Sequence, residues 1–149
     1  MDFKLTIEMV PKTSWYNSLY NKVSESIWDK IRKETLQKYK NKCGICSSVI
    51  KLSCHEIWEY DDKKHIQKLK GFISLCNLCH SIKHIGRTFL LAKEDKINLK
   101  SVVNHFMKVN SCNKEEFDKY LETVKDLWKE RSKYKWQIDF EEMVIWINK

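Results

Sequence analysis

Proline occurs once and glycine three times in 149 residues, so the chain lacks the material of flexible linkers and low-complexity tracts, and no internal repeat takes their place. Apolar runs are short as well. None approaches the roughly 20 residues that a membrane helix needs, and Met1 to Val10 has no apolar core of the kind a secretory signal carries. These absences lead us to expect an intracellular, cytoplasmic protein. With 42% hydrophobic and 32% charged residues the composition is that of a soluble globular chain, and its length fits one domain spanning 1–149.

Cysteine, by contrast, is plentiful at six residues. Where thiols stay reduced, paired knuckles are more often metal sites than disulfides. Cys43-Gly44-Ile45-Cys46 is one C-x-x-C knuckle and Cys76-Asn77-Leu78-Cys79 a second. Zn²⁺ takes four soft ligands, and each knuckle supplies two from one tight turn, so the four cysteines are expected to hold a structural zinc. The gap between the knuckles is longer than in a compact zinc ribbon, which makes the metal a clamp at the base of a sizeable insert. Cys54 and Cys112 are left over as free thiols.

Basic residues outnumber acidic ones by 28 to 20, a formal net charge of +8. The excess is uneven: 10 against 7 in residues 1–60, 10 against 4 in 61–110, and 8 against 9 in 111–149. Basic charge is therefore densest beside and just after the cysteine-rich stretch, where it would attract a polyanion and release its counterions.

Along the chain, Phe3 to Val10 alternates apolar and polar residues and predicts a strand ended by Pro11, and the aromatic stretch after it predicts a packed loop. From Ser24, which can act as cap with Ser26 as the alternative, Ile27, Trp28, Ile31, Leu36 and Tyr39 predict a helix whose outer face bears Lys30, Lys33, Lys38 and Lys40. That face reads as solvated or as a phosphate track. Val49–Tyr60 and His65–Leu75 predict a β-hairpin turned at 61–64, with Trp58 and Tyr60 packing it. Asn77–His84 predicts a short helix ended by Gly86, on which His80 and His84, four residues apart, share a face. Further helices are expected over Asn98–Val109 and Asn113–Lys133. A last strand around Trp136–Phe140 is expected to pair with the first, before the closing segment EEMVIWINK. His105 lies beside an apolar stripe and receives no role.

Strand, turn, strand and helix over paired knuckles, with the motifs CHEIW, LCNLCH and KH, resembles the HNH endonuclease family over about 45 residues, Cys43 to Gly86. The flank LTIEMVPKTSW is similar to that of small bacterial or phage members. The resemblance implies an α+β fold: a ββα-metal motif with structural zinc, core 42–86, in a mainly helical single domain with a helical part over 96–149. It implies hydrolysis of DNA, or RNA, with His55 as general base, His80 and His84 on catalytic Mg²⁺ or another divalent ion, and Lys83 and Arg87 on the phosphate backbone. Two departures leave alternatives open. Cys54 stands where many members have a metal-binding Asp or His, so His55 is alternatively the ligand and Glu56 the base. The asparagine that names the family is missing, with Gln67, His65 and Asn77 as substitutes. A non-catalytic module on the same scaffold, binding nucleic acid or inhibiting another protein, is the rival reading.

Overall fold

The computed structural model describes residues 2–141, so the closing segment lies outside the described residues from 142 onward. Among the described residues the fold is α+β, with five α-helices and one three-stranded sheet. Helix α1 (Glu25–Lys38) begins where the Ser24 side chain accepts from the Ile27 amide, satisfying one of the amides that every helix start leaves open. It lies across a hairpin of β1 (Ser53–Asp61) and β2 (Ile66–Leu75), burying Ile31 and Leu36 against Cys54, Leu69 and Leu19.

The strands pair antiparallel from Ser53↔Leu75 to Asp61↔Ile66. Between Ile57 and Trp58 the register slips, leaving Lys70 unopposed beside Gly71, whose φ of +152° few other residues would adopt. Beyond the turn, Arg131 grips Asp62 with two hydrogen bonds of 2.8 and 2.9 Å and lies over the Tyr60 ring, tying the hairpin tip to the C-terminal helix.

The second half is helical: α2 (Asn77–Lys83), α3 (Ile85–Lys93), α4 (Leu99–Asn110) and α5 (Lys114–Arg131). Asn98 caps α4, and Asn113 and Glu116 form a reciprocal capping box on α5. Val102, Val103, Phe106, Phe117 and Leu121 then face inward and meet Leu75, Ile82, Ile85 and the cysteines of both knuckles in the main core. Among the described residues no helix is long and apolar enough to cross a membrane.

Three expectations need correction. The segment 3–10 buries Leu5 and Ile7, but it bends at Lys4 and Leu5 and joins no sheet. Its backbone is satisfied elsewhere: Leu5 exchanges two bonds of 2.9 Å with the Asn110 carboxamide, the Ile7 amide donates to Tyr120 Oη, and the Glu8 amide donates to the Lys83 carbonyl. The final strand, β3 (Gln137–Asp139), therefore pairs with β2, in parallel, and not with the N-terminal segment. Gly86 does not end a helix: α2 stops at Lys83, His84 breaks the path at φ −103° and ψ 50°, and Gly86 falls in the first turn of α3.

Candidate functional site

The two knuckles converge. Cys43 and Cys46 sit in the turn between α1 and β1, Cys76 is the N-cap of α2, and Cys79 lies in its first turn. The four sulfurs lie within 4.8 Å of one another. Cys46 and Cys76 Sγ are 3.6 Å apart, far beyond the ~2.05 Å of a disulfide and close to the ~3.8 Å edge of a tetrahedron built on Zn–S bonds of ~2.3 Å. The cluster thus has the form of a structural metal site.

Its surroundings are built to carry negative sulfur. Cys43 Sγ accepts from the Ile45 amide and Cys76 Sγ from the Cys79 amide. Hydrogen bonds from the Cys76 and Cys79 thiols hold the Cys43 thiol far below its ordinary range, while the Cys43 partnership pushes Cys76 up to about 11. Gly44 is required by space, since a Cβ there would stand 2.8 Å from Ile73 and Tyr39 atoms. His105, to which the sequence assigned no role, reaches across from α4 with Nε2 at 3.2 Å from Cys79 Sγ, close enough to donate to a thiolate.

Immediately beyond the cysteines, three imidazoles meet. His55 projects from β1, His80 from α2, and His84 from the break before α3, with one ring nitrogen of each within 4.8 Å of the others. Ring centroids are 5.4 Å apart for His55 and His80, 5.0 Å for His55 and His84, and 4.7 Å for the helix pair. Burial, reinforced by the charge of neighbouring His55, pulls His80 down to about 4 and His84 to about 3. Both rings are therefore neutral at pH 7, with lone pairs that suit a divalent cation. Ser53 Oγ engages His80 Nδ1 at 3.1 Å and leaves Nε2 for that purpose.

His55 is 6% exposed, and its Nε2 donates to Glu8 Oε2 at 2.9 Å. Because a carboxylate can only accept, Nε2 carries the proton of this bond, and in the neutral ring Nδ1 is the free acceptor. Glu8 was not singled out in the sequence. Burial raises its carboxyl, but the His55 hydrogen bond and the Lys83 charge outweigh that and hold it below the usual carboxylate range.

Lys83 turns inward. It is 6% exposed, and its Nζ donates to Thr6 Oγ1 at 2.7 Å and to Glu8 Oε1 at 3.1 Å, so the expected phosphate contact is replaced by an internal ion pair. Arg87 is exposed in the first turn of α3, and its charge is felt at both helix histidines. Glu56 faces away from the cluster, accepting from the Leu19 amide at 3.0 Å and the Tyr20 amide at 3.1 Å. Strand alternation sends neighbouring side chains to opposite faces, and no bulge intervenes at 55–56. Of the substitutes for asparagine, His65 stacks on Tyr134 and Asn77 is exposed, whereas Gln67 is fully buried.

Glu56 is accordingly a brace for the loop before α1. Glu56→Ala is expected to cost about 1–3 kcal/mol by stranding two amides, read as a lower melting temperature, while calorimetric titration shows unchanged divalent-ion affinity. Loss of ion affinity equal to that of His84→Ala would instead put Glu56 in the site.

Comparison with known proteins returned no matching family model, no matching curated protein and no matching solved structure.

Proposed function

We propose that the chain is a metal-dependent endonuclease of HNH type that hydrolyses phosphodiester bonds in DNA, with zinc on Cys43, Cys46, Cys76 and Cys79 as a structural brace. The observation that carries this reading is the convergence of the imidazoles of His55, His80 and His84, with His80 following the cluster cysteine Cys79 on α2. The hairpin followed by a short helix, with the second knuckle at the helix start, supports the ββα-metal assignment.

His80 and His84 would hold the catalytic cation, Mg²⁺ or another divalent ion, which supplies positive charge against the phosphate as negative charge builds on it. His55 accepts the proton of the attacking water on Nδ1. Glu8, already bonded to Nε2, keeps the ring in place and stabilises the imidazolium as it forms. Lys83 holds Glu8 ionised from its other oxygen. Arg87, exposed at the start of α3, is placed to pair with a non-bridging phosphate oxygen, a contact that positions substrate without reading its sequence.

Purified protein is expected to nick supercoiled plasmid in the presence of Mg²⁺ or Mn²⁺ and to leave it intact when divalent ions are chelated. A plasmid that survives every divalent ion tried refutes hydrolysis, and the scaffold is then a non-catalytic binding or inhibitory module.

A further inference from the structure

Beside the histidine cluster opens a cavity of about 690 Å³, the size of a small-ligand site. His84, Glu8 and Arg87 border it, so it is continuous with the proposed phosphate position. We propose that this cavity receives one unpaired nucleobase of the substrate strand, so that the enzyme acts on single-stranded or locally unpaired DNA. The choice of a nucleic-acid occupant rests on the nuclease reading above.

The walls are aromatic. Trp15, Trp58 and Trp128 line the cavity, and Tyr16 stands at it 83% exposed, on a backbone held at φ 71°. The indole N–H groups of Trp15 and Trp128 both donate to the Val10 carbonyl, at 3.0 and 2.9 Å. One backbone oxygen thus pins two rings and engages their polar edges; Lys12 Nζ stands 5.1 Å over the Trp128 ring, so Trp15 and the exposed Tyr16 are the rings offered for stacking. Stacking tolerates any base, because every base has a π-face.

Two polar side chains on the same lining point to the kind of ligand. Gln67 is 2% exposed and Ser14 3%, and neither Gln67 Oε1 nor Ser14 Oγ has a hydrogen-bond partner among the described residues. Buried polar atoms of this kind are ordinarily satisfied. A purely apolar occupant would leave them stranded. A nucleobase presents amino, imino and carbonyl groups along one edge, which this carboxamide and hydroxyl can meet once their side chains turn toward the cavity, since both atoms are covered in this structure. The lining is mostly apolar and aromatic, which suits an uncharged base, while its phosphate stays with the exposed Arg87 at the border. A base held in a duplex is stacked and paired, and cannot reach the cavity without leaving the helix.

The test measures binding alone, without added divalent ion, by fluorescence anisotropy of a fluorescein-labelled mixed-sequence 12-nucleotide single strand. Its comparators are the same strand with abasic sites throughout its centre, and the corresponding duplex. The intact strand is expected to bind roughly 5- to 150-fold more tightly than the abasic one, the range of one aromatic stacking contact. Tyr16→Ala and Trp15→Ala should each erase most of that difference without weakening the abasic strand, and the duplex should bind less tightly than the intact strand. Tyr16 is so exposed that its loss leaves folding untouched. Equal affinity for intact and abasic strands would overturn the proposal and leave the cavity to a peptide side chain or another small ligand. That result would not touch plasmid nicking, and a protein that binds bases but never nicks would refute only the nuclease reading.

Discussion

With zinc on the four cysteines as proposed, Cys79→Ser, or treatment of the wild-type protein with a strong chelator, is expected to unfold the chain. The magnitude follows from setting two quantities side by side. Structural zinc contributes on the order of 10–16 kcal/mol to the folding of small metal-bound domains, whereas a domain of this size has a net stability of about 5–15 kcal/mol. The location of the cluster makes the loss global. Cys43, Cys76 and Cys79 are buried in the same core as Leu75, Ile82, Ile85, Val102 and Phe106, so an ion held there would tie the base of the hairpin to the helices that cover it. Cys79 is fully buried, and its sulfur is also the one that His105 approaches. The control is Cys112→Ser, at a half-buried thiol outside the cluster, which should change the melting temperature by no more than a few degrees. Circular dichroism melts with and without chelator make the comparison. Identical melting temperatures for Cys79→Ser and wild type would remove the structural-metal role.

Why the cysteines could be read from the chain, and other parts of the site could not, is a matter of sequence separation. Each knuckle is closed by residues three apart, and His80 and His84 are brought together by one helical turn, so local geometry dictates both. His55 lies on a strand whose period orients it without knowledge of its neighbours. Glu8 and the inward turn of Lys83 depend instead on how the N-terminal segment lies across α2, through contacts between residues 47 and 75 positions apart. No local pattern encodes that crossing.

The same limit explains the misread strand. Alternation in 3–10 correctly marks Leu5 and Ile7 as buried, but a period of two reports only an extended chain with one side covered. It is silent on whether the backbone bonds go to a neighbouring strand or, as here, to Asn110 and Tyr120 side chains. At Gly86 the error was in the signal. A terminating glycine works through a positive φ, and Gly71 is the glycine that adopts one among the described residues, while Gly86 continues into α3. Gln67, one of three candidates for the missing asparagine, could be placed only by the fold, which sinks it into the lining of the cavity beside His84.

His55→Ala is expected to slow cleavage by about 10²- to 10⁴-fold, the usual contribution of a general base, while changing the affinity for the divalent ion little. His84→Ala should do the reverse in its first effect: ion affinity falls, and part of the lost rate returns when the ion is raised to high concentration. All three rings share one space, but His55 has Nε2 committed to Glu8, whereas burial holds His80 and His84 neutral. Acidity sharpens the test. Their lowered values of about 4 and 3 mean that protons compete for the helix pair only below those values, so ion binding should persist unchanged from pH 8 down to about 5. An acid limb in the rate profile between pH 5 and 7 then belongs to a group other than the helix pair. If His55→Ala loses ion affinity as severely as His84→Ala and recovers its rate in excess ion, His55 is a third ligand. The proton of the attacking water must then pass to another acceptor, for which Glu8, bonded to the same ring, is the nearest carboxylate in the site.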